Sequence, residues 1–370
     1  MKADLIPEPV RTADAVHHAL LGEVSFSRHL NPINEGEARR AFLSGRKAEP
    51  PFAYLPLVQA DELLRRLDAA EPPRDHPAGA LVGSCMDSTR QLIVALRDRS
   101  AEAFDQMACS AGWYPDADLL GLQFDEHERD DSPIEHSAPR LIGHLREALD
   151  RRGLGDWTID QDPVMAARVL VDGAKRVIRV KPDARFRQRD LERLVVHEID
   201  VHVQRTVNGQ AQALRCFETG LPDSLATEEG LAMQAEQRAG VANPGVLARQ
   251  VAVIRAIDIG RKVGFRELYE QLSREVGSAL AWGIGLRIKR GLARPGEPGV
   301  YAKDSVYLAG WKQVGDWLDA GGDIRQLYVG KVGLQDPIEQ WAAQGWLSWQ
   351  PVPSLWYRDS GQSPPLTRPG

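Results

Sequence analysis

The chain has 370 residues, 43% hydrophobic and 26% charged, with a formal net charge of −6. That length is enough for a large core and two domains, and so mild a charge excludes neither sign of substrate but argues against nucleic acid or a membrane surface as partner. Three scattered cysteines, Cys85, Cys109 and Cys216, form neither a disulfide framework nor a cysteine metal site, which fits a reducing compartment.

The first residues, Met1-Lys2-Ala3-Asp4-Leu5-Ile6-Pro7, carry no apolar signal core, and no run of ~18 apolar residues follows anywhere, so a cytoplasmic protein is expected. Residues 1–24 read as a loosely docked arm. Asn34 is placed to cap a helix whose buried face is Ala38, Ala41 and Phe42. Pro50 to Pro56 reads as an extended strap. From about 60 to 150 the spacing of Leu63, Leu64, Leu67, then Leu92, Ile93, Leu96, then Phe104 and Met107, predicts helices. The polar stretch 123–139, with His127 and His136, reads as a surface excursion. The pattern divides the chain into the arm (1–24), a mainly helical part (25–160), a catalytic part (161–349) and a tail (350–370).

The character changes at 163–181. Ala167 to Val171 and Arg176 to Val180 are β-branched runs joined by Asp172-Gly173, a strong hairpin signal. A helix is expected from Arg189 to Val207, ended by Asn208-Gly209, and a second from Thr227 past Glu236. The first carries His197-Glu198-Ile199-Asp200-Val201-His202; the second opens on Thr227-Glu228-Glu229-Gly230. The fold class expected is α+β and mostly helical, with a small hairpin or sheet before the active-site helix.

Two imidazoles and a carboxylate are the ligand types of a catalytic zinc site. The chemistry then assigns His197, His202 and Glu229 to Zn2+ and Glu198 to general-base catalysis. Histidines four apart stand about 40° apart round an α-helix, but five apart they stand about 140° apart, too far for one ion. A π-bulge between His197 and His202 is therefore required to return both to one face. Taken alone the string also fits an amphipathic helix with two satisfied histidines, and Glu228-Glu229 also fits a helix N-terminus favouring acidic residues.

With these residues the chain resembles the bacterial flavohemoglobin expression-modulating QEGLA-motif proteins, relatives of the microtubule-associated tyrosine carboxypeptidase. The resemblance rests on the His197–His202 motif with Arg205, Asn208 and Gln212, and on Glu228-Glu229-Gly230-Leu231-Ala232. Leu30 to Asn34, Phe52 to Tyr54, and Lys303-Asp304-Ser305-Val306-Tyr307-Leu308 extend it. It implies a thermolysin-like (gluzincin) zinc peptidase core, with Glu229 as third ligand. The family's Gln is Glu228 here, a departure that bears on the hydrogen bond to a ligand imidazole. The reading that follows is a carboxypeptidase-like enzyme whose partner is a peptide or protein C-terminus. Tyr307 is its candidate oxyanion donor, Lys303, Arg205, Arg287 and Arg290 are its candidate substrate cations, and Glu228 and Asn208 support the ligands. The alternative is a non-catalytic, zinc-binding regulator on the same scaffold. No motif specifies an oligomeric state.

Overall fold

The computed structural model describes residues 6–124 and 132–357. It is mostly helical with small sheets, an α+β arrangement. His127 of the polar excursion and the end of the tail lie outside the described residues.

The N-terminal segment departs from expectation. Residues Glu8–Glu23 form a helix, α1, whose Val10, Ala13 and Leu20 are buried in the core with the long helix Pro77–Asp98, α2. The prolines that made it read as a loose arm stand at its start, where a missing N–H costs nothing. Asp14 ties it down further by accepting from the backbone N–H groups of Arg215 and Cys216, 2.5 and 3.0 Å away. Asn34 precedes a helix as expected but does not cap it. Its amide instead grips the strap, donating to Pro51 O at 2.9 Å and accepting from Ala53 N at 2.8 Å. At the other end, Leu355 and Trp356 of the presumed tail are buried beside Leu231 and Tyr328.

The middle of the chain carries the strands. β1 (Ile134–Ser137) pairs antiparallel with β5 (Arg185–Arg187). β2 (Thr158–Gln161), β3 (Val169–Asp172) and β4 (Val177–Val180) form a sheet in the order β2-β4-β3. β3 and β4 are the expected hairpin, antiparallel and joined by a 3-10 turn at Gly173–Lys175, and β2 runs parallel to β4. Helix α3 (Ala138–Arg151) covers the sheet with Leu141, Leu145 and Leu149, and Trp157, Ile178, Phe186 and Ile199 complete that core. β3 is left as an edge strand.

The chain then runs through α4 (Gln188–Leu194), a π-helix at Val195–Val203 and α5 (Gln204–Gln210) as one continuous rod. Asn208-Gly209 does not stop it abruptly. Gly209 is small because a Cβ there would lie 2.2 Å from Phe217 O, so its role is close packing. Next come α6 (Ser224–Arg238), α7 (Val246–Gly260), α8 (Ser278–Lys289) and α9 (Val306–Asp319). α6 and α9 cross at Gly230 and Gly310, where a Cβ on Gly230 would lie 2.1 Å from the Gly310 carbonyl. That approach brings the start of α9, with Tyr307, toward Glu229. Among the described residues no helix is long and apolar enough to cross a membrane.

Candidate functional site

The π-helix is the feature on which the site depends. Its wider turn puts residues five apart on one face. His197 and His202 accordingly come together, with ring centroids 4.8 Å apart and planes at 78°. The ligand atoms of His197, Glu198 and His202 all lie within 4.8 Å of one another. The segment is held in this conformation from outside the helix. Asp200 receives a two-pronged ion pair from Arg152, at 2.6 and 3.0 Å, and its carbonyl accepts from Tyr328 at 3.1 Å. Asp200, unassigned by the sequence, is thus a fastener for the wound segment.

α6 supplies three carboxylates to the same place. Glu236 accepts from His197 Nδ1 at 2.7 Å, and Glu228 accepts from His202 Nδ1 at 2.8 Å. A carboxylate can only accept, so each imidazole carries its proton on Nδ1 and turns Nε2 inward. Both Nε2 atoms face one oxygen, Glu229 Oε2, at 3.6 Å each. That distance is too long for a hydrogen bond. Oε2 is buried and has no hydrogen-bond partner. A buried carboxylate oxygen equidistant from two aromatic nitrogens is the arrangement that one metal ion between them would satisfy, with His197, His202 and Glu229 as donors and Glu198 beside them.

The electrostatics agree with a place that attracts positive charge. Burial alone would lower the His197 pKa, but Glu229, Glu236 and Glu198 raise it to about 10. His202 is shifted up in the same way, against burial, by Glu228 and Glu229. Burial would raise the Glu229 carboxyl, yet the two imidazoles hold it well below the usual range. Glu228 is likewise held low against burial by Lys331, Arg205 and His202. The cluster takes up a proton on each imidazole or a cation between them.

The remaining predicted residues separate into distinct groups. Arg205 is fully buried and ion-paired with Glu228, while Nε and Nη2 donate to the carbonyls of Leu327, Gly330 and Val332. It therefore fixes Glu228 and is not free to hold a substrate carboxylate, the role expected from the sequence. Lys331 Nζ, 3.2 Å from Glu228 Oε1, supplies a second counter-charge. Asn208 lies outside the cluster and donates instead to Tyr328 O and Pro351 O, at 2.6 and 2.9 Å, pinning the C-terminal strap. Arg287 and Arg290 share Asp304, at 2.5 and 3.3 Å, so their charge is spent within the fold. Lys303, half-buried, faces the cluster and helps to hold Glu229 low.

Tyr307 lines both of the cavities that meet at His197 and Glu198, one of about 580 Å³ and one of about 300 Å³. Burial, then the charge of Glu229, pushes its phenol well above the ordinary value, so it is a hydrogen-bond donor at neutral pH. Ala166, Ala167 and, from the edge strand β3, Val169, Leu170 and Val171 run along the smaller cavity, and Ala166, Ala167, Arg168 and Val169 reach the larger.

Sequence reasoning missed Glu236. The signal was present, because Glu229 and Glu236 are seven apart on one helix and share a face.

Fold and site together define a mostly helical α+β protein built round a buried His–Glu–His cluster that two cavities reach. The chain belongs to the microtubule-associated tyrosine carboxypeptidase family, whose model matches residues 117–366. It is 30% identical over 174 residues to the human microtubule-associated tyrosine carboxypeptidase 1, a match covering 45% of this chain and 36% of that one. The mouse protein of the same name is 29% identical over 45% of this chain and 37% of its own length. The mouse putative tyrosine carboxypeptidase MATCAP2 is 25% identical over 54% of this chain and 40% of its own. The matched regions thus cover about two fifths of the length of these relatives.

Proposed function

We propose that the chain is a zinc-dependent carboxypeptidase of the gluzincin type, close to the QEGLA-motif proteins, with His197, His202 and Glu229 as zinc ligands. The observation that carries this reading is Glu229 Oε2, buried, without a hydrogen-bond partner and 3.6 Å from both Nε2 atoms. Donors ~2.0–2.1 Å from a tetrahedral zinc stand roughly 3.4 Å from one another, close to that spacing. The donor set of two imidazoles and one carboxylate leaves a position open, as catalytic sites do. The carboxylates behind each imidazole are the outer hydrogen-bond partners that such ligands need.

Zinc, when bound, supplies Lewis acidity toward a peptide carbonyl and toward water. The chain supplies the rest. Glu198 takes a proton from the attacking water and returns it to the leaving amine nitrogen. Tyr307, kept protonated by its surroundings, donates to the oxygen on which negative charge develops. The edge of β3 offers backbone N–H and C=O groups to an extended peptide. Arg205 and Lys331 act at one remove by holding Glu228 against His202. Removal of a C-terminal residue as the reaction draws support from the names of the three relatives, all of which read tyrosine carboxypeptidase, one of them as putative.

The test is a cleavage screen. A peptide library incubated with the zinc-loaded protein is read by mass spectrometry. Loss of single C-terminal residues, abolished in Glu198→Gln, supports the assignment. Internal cuts alone remove the carboxypeptidase part, and cleavage by Glu198→Gln at the parent rate removes the mechanism.

A further inference from the structure

The larger cavity is lined by two arginines, Arg249 and Arg187, whose guanidinium groups have no hydrogen bond or ion pair among the described residues. It is walled in part by the first turns of α7 and by three arginines from elsewhere. Those three are compensated. Arg168 pairs with Asp190 at 3.1 Å, Arg193 with Glu236 at 2.7 Å, and Arg287 with Asp304 at 2.5 Å. Arg249, on α7, is different: among the described residues its guanidinium has neither a hydrogen bond nor an ion pair. Arg187, which lines the same cavity, has none either.

Arg249 is exposed and lines the larger cavity beside Arg168, Arg193 and Arg287. It is therefore open to a ligand from solvent. Burial first, then the charges of Arg287, Arg168 and Arg193, lower its pKa to about 10. It remains protonated at neutral pH among like charges, and an anion from outside relieves that repulsion.

The smaller cavity has its own cation, Lys303, but the charge of Lys303 already acts on Glu229 and Asp304. Lys303 thus has carboxylates within electrostatic reach, whereas the charges that act on Arg249 are chiefly those of other arginines. A peptide entering a carboxypeptidase site brings one obligatory anion, the α-carboxylate of its last residue, and a planar guanidinium matches it in two-pronged fashion. We propose that Arg249 receives the substrate's terminal α-carboxylate. The residue to be released then occupies the larger cavity, and the rest of the peptide passes along β3 and out through the smaller one. This rests on the carboxypeptidase reading above and adds to it a direction of binding and a residue that decides between a free and a blocked C-terminus.

The test measures binding, separately from turnover. Dansyl-Gly-Gly-Tyr with a free carboxylate, and the same peptide as its amide, are titrated by fluorescence into zinc-loaded Glu198→Gln protein. One charged hydrogen-bonded pair makes the acid bind roughly 10- to 100-fold more tightly. Adding Arg249→Gln abolishes that preference, Arg249→Lys restores part of it, and Lys303→Met leaves it in place. Unchanged zinc content and melting temperature show that each variant is folded. Equal binding of acid and amide, a preference that survives Arg249→Gln, or one lost in Lys303→Met each overturns the proposal. If neither peptide binds at millimolar concentration the proposal falls as well. The cleavage screen then decides separately whether the peptidase reading falls with it.

Discussion

Gly230→Ala tests how strictly the crossing of α6 and α9 sets the site. A Cβ at Gly230 would lie 2.1 Å from the carbonyl carbon and oxygen of Gly310, and both obstacles are backbone. No side chain can swing aside. Ordinary carbon contacts begin near 3.5 Å, so the helices must part by roughly 1 Å. Overpacking of this kind costs about 1–3 kcal/mol. The functional consequence should be larger than the loss of stability. Gly230 follows Glu229 directly, and Gly310 lies one turn beyond Tyr307, so the displacement separates the carboxylate from the phenol. A misplacement of about 1 Å costs on the order of 100-fold in rate. The assay pairs urea unfolding with cleavage of whichever peptide the screen identifies. Gly143→Ala serves as the control, because Gly143 lies in α3 with nothing within 4 Å of its Cβ position. Alanine there should stabilise by roughly 0.5–1 kcal/mol. Parent-like stability and activity in Gly230→Ala would refute the argument that backbone contact positions the two groups.

Two further outcomes follow from named contacts. Glu236→Gln keeps an acceptor for His197 Nδ1 but removes the charge that pairs with Arg193 at 2.7 Å. Zinc affinity, measured by competition with a chelator, should fall about 10- to 100-fold; an unchanged affinity would exclude Glu236 from the site. His17 gives a pH signature far from the cluster. Burial first, then His18 and Arg90, lowers its pKa from 6.5 to about 4. The unfolded chain therefore binds this proton at a higher pH than the folded one. The contribution of His17 is complete above pH 6.5 and is lost as pH falls from there to 4, by roughly 3 kcal/mol at most. His17→Gln should flatten that limb of the urea midpoint against pH, and an unchanged slope would contradict it.

The centre of the fold was legible in the sequence because geometry leaves few options there. Histidines five apart can share one ion only if the helix is wound as a π-helix, and Val195–Val203 is wound that way. The Asp172-Gly173 hairpin was equally legible, since a turn signal stood between two β-branched runs. What escaped the reading depends on distant partners. α1 was misread because Pro7 and Pro9 look like linker punctuation until the helix is seen to begin at Glu8. Asn34 has the composition of a cap but bonds to a strap nearly twenty residues away. Arg249 has nothing in its surrounding sequence to distinguish it from a solvated helix charge. Only the cavity wall shows that its neighbours are already paired.

The zinc assignment rests on Glu229 Oε2 and the two inward Nε2 atoms. Elemental analysis of protein purified without chelators, run beside Glu229→Ala and His202→Ala, tests it most directly. About one zinc per chain is expected in the parent and little in either variant, with all three proteins folded. A parent that neither retains zinc nor takes it up when offered would contradict the account, as would a Glu229→Ala protein that binds zinc as tightly as the parent.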